Sequence, residues 1–184
     1  GITPALSDSC REATWEALRI AEEAGVAVSF DPNIRRKLWT EAEAKATLRE
    51  MMPHIHTLLT GRAEAPLLSG EDEVVPAGRA LREMGPRQVV VRLGEKGALV
   101  VGEEGVDRQA ALDLTPVDVV GAGDAFTAGY LVGQLRGWAP GRSLRLGNVA
   151  GGLATTVQGD SEGIPTWDEV QEYLNGADRA DVDR

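Results

Sequence analysis

Asp118-Val119-Val120-Gly121-Ala122-Gly123-Asp124-Ala125-Phe126-Thr127-Ala128-Gly129-Tyr130-Leu131 sets three small residues directly before a helix and ends them in a carboxylate. Gly121, Ala122 and Gly123 have little or no side chain, so their backbone N–H groups can converge on a phosphate. The helix that follows adds its first-turn N–H groups and the positive end of its dipole. Asp124 then stands where a hydroxyl attacking that phosphate needs a base. An anion hole and a carboxylate at one helix N-terminus are what phosphoryl transfer to an alcohol requires. The plain alternatives are a tight turn for the glycines and helix capping for Asp124. Capping does not explain the small residues ahead of it. Val117, Val119 and Val120 read as the end of a strand feeding the turn.

Outward from this stretch, helix and strand periods alternate. Apolar spacing predicts a helix over 9–24 (Trp15, Leu18, Ile20, Ala21), closed by Gly25 and followed by a strand over 26–30. Thr40 and Glu43 form a capping box for a helix over 40–52. Strands are expected at 56–60 and 88–93, the latter paired in a hairpin with 98–101 across Gly94–Gly97. Further helices are expected at 77–84, 124–136, 143–156 and from Trp167. Such alternation implies an α/β fold, a mostly parallel sheet covered on both faces, with ligands outside the carboxyl ends of the strands. Residues 1–176 read as one folded part and 177–184 as a frayed charged tail.

Composition narrows the class. The chain has 184 residues, 42% hydrophobic and 26% charged, an ordinary globular balance. A formal net charge of -10 without a Lys/Arg-rich stripe argues against a nucleic-acid surface. No apolar run approaches the ~20 residues that span a bilayer, so no membrane partner is expected. The single Cys10 cannot form an internal disulfide, which favours a reducing, cytoplasmic setting.

Other polar features follow expected strand ends. In Asp31-Pro32-Asn33-Ile34-Arg35-Arg36-Lys37-Leu38-Trp39, Asn33 offers amide donors and Arg35 a guanidinium suited to phosphate or carboxylate. A Pro-containing turn with solvated cations is the alternative. In Thr60-Gly61-Arg62-Ala63-Glu64, the Glu64 carboxylate suits a water-bound Mg²⁺, or simply a solvated helix start. Leu93-Gly94-Glu95-Lys96-Gly97 reads as a hairpin turn whose Lys96 could reach phosphate. Asn148 lies on a small-faced helix beside Gly151 and Gly152, and Gly159-Asp160-Ser161-Glu162-Gly163 is a polar loop.

The stretch Asp118–Leu131 resembles, position by position, the C-terminal signature of the PfkB (ribokinase-like) carbohydrate kinases. Asp31–Trp39 resembles the D-x-N-x-R-x-x-L-W stretch of fructokinase-like and 2-keto-3-deoxygluconate kinase-like members, and Gly159–Gly163 the corresponding loop of the latter. The resemblance implies a three-layer α/β/α fold, Asp124 as catalytic base, and Gly121, Ala122 and Gly123 as anion hole. It implies ATP as cofactor, met by Asn33, Arg35, Leu93, Gly94, Lys96, Gly97 and Asn148. Arg35, Asp124 and Asp160 would meet a small sugar acid or ketose. Glu64 would hold Mg²⁺ through water, and Asp118 a monovalent cation such as K⁺. The family's N-x-x-E pattern has no asparagine here, where Thr60 or Gly61 stands in its place before Glu64.

Gly1–Ser7 resembles the middle of a keto-deoxygluconate kinase. The resemblance implies that the N-terminal strands, most of the sugar pocket and a β-lid that pairs subunits lie outside this chain. An exposed sheet edge is therefore expected, with homo-oligomers forming when the chain is full length. The expected activity is ATP-dependent phosphorylation of a sugar acid, 2-keto-3-deoxygluconate foremost. Nucleotide binding without turnover, or the same chemistry on fructose or another ketose, are the alternatives.

Overall fold

The computed structural model describes the backbone of residues 1–182 and the side chains of residues 1–175. The elements run α1 (Thr3–Leu6), α2 (Asp8–Glu23), β1 (Ser29–Phe30), α3 (Glu41–Met51), β2 (Thr57–Gly61), α4 (Glu64–Ser69), α5 (Val74–Glu83), β3 (Gln88–Arg92), β4 (Ala98–Gly102), β5 (Gly105–Gln109), α6 (Ala122–Leu135), α7 (Pro140–Ala154) and α8 (Trp167–Val182). The charged tail expected at 177–184 falls outside the described side chains. Among the described residues no helix is long and apolar enough to cross a membrane.

The strands form one sheet in the order β1-β2-β3-β4-β5. β1, β2 and β3 are parallel, with Ser29 opposite Thr57 and the register running from Thr57–Gln88 to Gly61–Arg92. The link 93–97 is too short for a crossover, so β3 and β4 form the expected hairpin. The sheet is therefore mostly parallel and the fold α/β.

The chain divides into two compact units, Gly1–Arg92 with Val100–Val106, and Leu93–Leu99 with Asp107–Arg184. In the first unit, Leu58-Leu59-Thr60 of β2 and Val89-Val90-Val91 of β3 are all buried. Burial at consecutive positions means both strand faces are covered, which is why these strands read as apolar runs. α3 contributes Ala44, Leu48 and Met51 to this core, and α5 contributes Ala77 and Leu81. The capping box at α3 is formed: Glu43 N–H donates to Thr40 Oγ1 (3.2 Å) and Thr40 N–H to Glu43 Oε2 (2.8 Å).

In the second unit, α6 and α7 pack closely through small residues. A β-carbon on Gly129 would lie 2.9 Å from the Leu146 carbonyl oxygen, and one on Gly147 2.9 Å from the Phe126 ring. Leu146 and Val149 of α7 meet Val170 and Leu174 of α8 in a buried cluster.

Three expectations are corrected. The strand expected over 26–30 shortens to Ser29–Phe30, because Val26 N–H closes α2 by donating to Ala21 O (2.8 Å) while Gly25 N–H donates to Glu22 O. No strand forms at Val117–Val120: the N–H groups of Val117 and Asp118 both donate to Thr155 O, and Val120 N–H to Asp118 Oδ1. With those donors engaged there is no ladder to join, and Val117, Val119 and Val120 stand exposed. The helices expected at 77–84, 124–136 and 143–156 begin earlier, at Val74, Ala122 and Pro140. The short α1 and β5 carry no periodic signal, and α4 opens at Glu64, the helix start offered there as the alternative.

Candidate active site

Gly121 is the N-cap of α6 and has φ +76°, the left-handed region that glycine favours. A β-carbon there would lie 2.4 Å from the Asp160 carbonyl oxygen and 2.7 Å from Asp160 Oδ1. Conformation and space both require glycine. Ala125 N–H donates to Gly121 O (2.9 Å), so the helical ladder starts at once and Ala122, Gly123 and Asp124 form the first turn. Asp124 is exposed, and its carboxylate takes no hydrogen bond or ion pair among the described residues. It lines a cavity of about 480 Å³ whose polar end is Gly121, Asp124, Asp160 and Ser161 and whose walls include Val132, Leu146 and Trp167. A carboxylate with no internal partner at the positive end of a helix is available to a substrate proton.

Asp118 organises the loops around this turn. Its Oδ1 accepts from Val120 N–H (3.1 Å) and its Oδ2 from Gly159 N–H (3.2 Å). These N–H groups, that of Val120 first, hold its carboxyl below the usual carboxylate range. The loop carrying Asp160 is thereby tied to the segment that enters the cradle.

Gly97 and Asn148 meet the same stretch of backbone in this unit. Gly97 has φ +85°, and a β-carbon on it would lie 2.0 Å from the Gln109 carbonyl oxygen. Asn148, 8% exposed, donates its amide hydrogens to Gln109 O (3.0 Å) and Ala110 O (2.9 Å). Leu93 N–H closes the hairpin turn on Gly97 O (2.8 Å), while Gly94 and Lys96 are exposed.

The first unit holds Asn33, Arg35 and Glu64, which follow the parallel neighbours β1 and β2. Asp31 receives a fork from Arg92, with Nη1 2.6 Å from Oδ2 and Nη2 3.1 Å from Oδ1. Asn33 N–H donates to Asp31 Oδ1 (3.2 Å), and Asn33 has φ +40°. Arg35 is exposed. Glu64 Oε1 accepts from Ile34 N–H (2.7 Å), and Oε2 from Gly61 N–H (2.8 Å) and the Thr60 hydroxyl (3.4 Å). Sequence reading missed the Asp31–Arg92 fork, which joins residues 61 apart and which no local pattern marks.

Among the described residues no group of three or more His, Cys, Asp or Glu side chains is placed to hold a metal ion. The Glu64 and Asp118 carboxylates each already accept backbone N–H groups at both oxygens. Neither carboxylate belongs to a cage of direct protein ligands among the described residues, and a Mg²⁺ met through water, the contact expected at Glu64, needs none.

Residues 1–167 match the model of the pfkB family of carbohydrate kinases. The chain is 35% identical to a 2-dehydro-3-deoxygalactonokinase of Haloferax volcanii, covering 100% of this chain and 58% of that protein. It is 32% identical to a 2-dehydro-3-deoxygluconokinase of Bacillus subtilis (95% and 55% covered) and 32% identical to a fructokinase of Klebsiella pneumoniae (91% and 57%). Its fold is similar to a putative ribokinase II from E. coli in complex with ATP and Mg²⁺ (TM-score 0.86, 26% identity, 93% and 56% covered). It is also similar to the aminoimidazole riboside kinase of Salmonella enterica complexed with aminoimidazole riboside and an ATP analogue (TM-score 0.83, 29% identity, 93% and 60% covered). The chain spans about half the length of the curated relatives it matches. The fold is thus ribokinase-like, and the chain belongs to the pfkB family of carbohydrate kinases.

Proposed function

We propose that the protein transfers the γ-phosphoryl group of ATP to a hydroxyl of 2-keto-3-deoxygluconate, giving the 6-phosphate. The observation that carries this reading is the exposed Asp124 carboxylate, unpartnered among the described residues, in the first turn of α6 that opens after the left-handed Gly121. The acceptor oxygen bonds to the γ-phosphorus as the bond from that phosphorus to the β,γ-bridging oxygen breaks. ADP leaves with that electron pair, and the hydroxyl proton passes to Asp124. Gly121, Ala122 and Gly123 set backbone and helix dipole against the charge on the transferred group.

Within the same reading, Asp160 lines the acceptor's side of the cavity. Leu93, Gly94, Lys96 and Gly97 wall the nucleotide, and Asn148 supports that wall through Gln109 and Ala110. Asn33 and the exposed Arg35 grip nucleotide phosphates and substrate. Mg²⁺ travels on the nucleotide, and no residue of this chain is assigned to it.

Fructose is the competing acceptor, because the fructokinase and the gluconokinase relatives match at the same 32% identity. An ATP-coupled assay of the full-length protein on 2-keto-3-deoxygluconate, 2-keto-3-deoxygalactonate, fructose and ribose separates them. The highest kcat/KM is expected on a keto-deoxy sugar acid. A preference for fructose reassigns the substrate, and no turnover on any of them refutes the kinase reading.

A further inference from the structure

We infer that Glu64 is a positioning residue: its carboxylate latches the loop after β1 to the end of β2. Three donors converge on it. Ile34 N–H reaches Oε1 at 2.7 Å; Gly61 N–H and the Thr60 hydroxyl reach Oε2 at 2.8 and 3.4 Å. One donor lies in the loop and two at the strand end, so this side chain joins two segments that are 30 residues apart in the chain. N–H groups donating to an ionised carboxylate make the stronger class of hydrogen bond.

The loop needs such a hold. Asn33, immediately before Ile34, is the one non-glycine with positive φ among the described residues, at +40°. A residue held in that region persists only where its surroundings over-determine it. The hydrogen bond from Asn33 N–H to Asp31 Oδ1 and the fork from Arg92 onto Asp31 fix the loop's start. Glu64 fixes its continuation at Ile34. Gly61 gives the carboxylate room: a β-carbon there would stand 3.3 Å from Oε2, so the carboxylate would shift by a few tenths of an ångström. Without that side chain the carboxylate can fold back onto its own strand end.

The consequence for catalysis rests on the kinase reading above, in which Asn33 and Arg35 meet the nucleotide. A latch that places those side chains without touching the reacting atoms supports binding more than turnover, so its loss raises KM for ATP with kcat largely kept.

Amide hydrogen exchange and steady-state kinetics on the full-length protein test this with two variants. Glu64→Gln removes the charge, and Gly61→Ala leaves the carboxylate intact but crowds it. Both should speed exchange at the Ile34 amide by about tenfold or more. Glu64→Gln should also raise KM for ATP about tenfold, with kcat within about twofold of wild type. Wild-type exchange at Ile34 in Glu64→Gln would overturn the latch. A wild-type protein that phosphorylates no sugar or sugar acid defeats the kinase reading alone, and the exchange at Ile34 still decides the latch.

Discussion

Gly121 and Asp160 are packed so closely that a β-carbon at position 121 would stand 2.4 Å from the Asp160 carbonyl oxygen. Gly121 also has φ +76°, so any side chain there adds backbone strain to the overlap. Gly121→Ala should lower the unfolding free energy by about 2 kcal/mol or more. It should also reduce kcat by about a hundredfold, because the cradle and Asp124 shift together. Denaturant melts and steady-state rates of the full-length variant check both.

Asn148 separates a structural role from direct nucleotide contact. Both of its amide hydrogens go to backbone carbonyls, those of Gln109 and Ala110. Asn148→Ala should cost about 1–2 kcal/mol of stability through the two orphaned acceptors. Asn148→Asp, which turns a carboxylate towards those same carbonyls, should cost more than Asn148→Ala. Thermal melts rank the variants, and ATP affinity should weaken only modestly, by less than about tenfold, because Asn148 acts on the nucleotide wall through Gln109 and Ala110.

The third prediction concerns acid. The Val120 and Gly159 N–H groups lower the Asp118 pKa in the folded protein. A group whose folded pKa is depressed contributes stability above its unfolded pKa, near 4, and loses it as pH falls through the folded value. Wild type should therefore be more stable than Asp118→Asn at pH 6 to 7, and the gap should close below about pH 4. Urea midpoints across pH 2.5 to 7 measure it; a gap that widens in acid would contradict the assignment.

Much of this was legible in sequence wherever one local cause decides the structure. The Thr40–Glu43 box, the apolar runs of β2 and β3 and the Gly turn at 94–97 form as their residues imply. The cradle expected ahead of the helix lies partly inside it: α6 opens at Ala122, and Asp124 is its third residue. What stayed hidden depends on partners distant in the chain. The Asp31–Arg92 fork spans 61 residues, and neither residue type announces the other. Val117–Val120 is β-branched enough to suggest a strand, yet its N–H groups are claimed by Thr155 O and by Asp118. Glu64 suits a metal by residue type, and only the placement of Ile34 and Gly61 shows what its oxygens hold.

Asp124 carries the central claim, and Asp124→Asn tests it most directly, since the amide keeps the shape and cannot take a proton. Turnover and ATP affinity should be measured side by side on the full-length variant. The account predicts a kcat lower by about a hundredfold or more with the Kd for ATP within about threefold of wild type. A variant that still phosphorylates its sugar acid at close to the wild-type rate would contradict it.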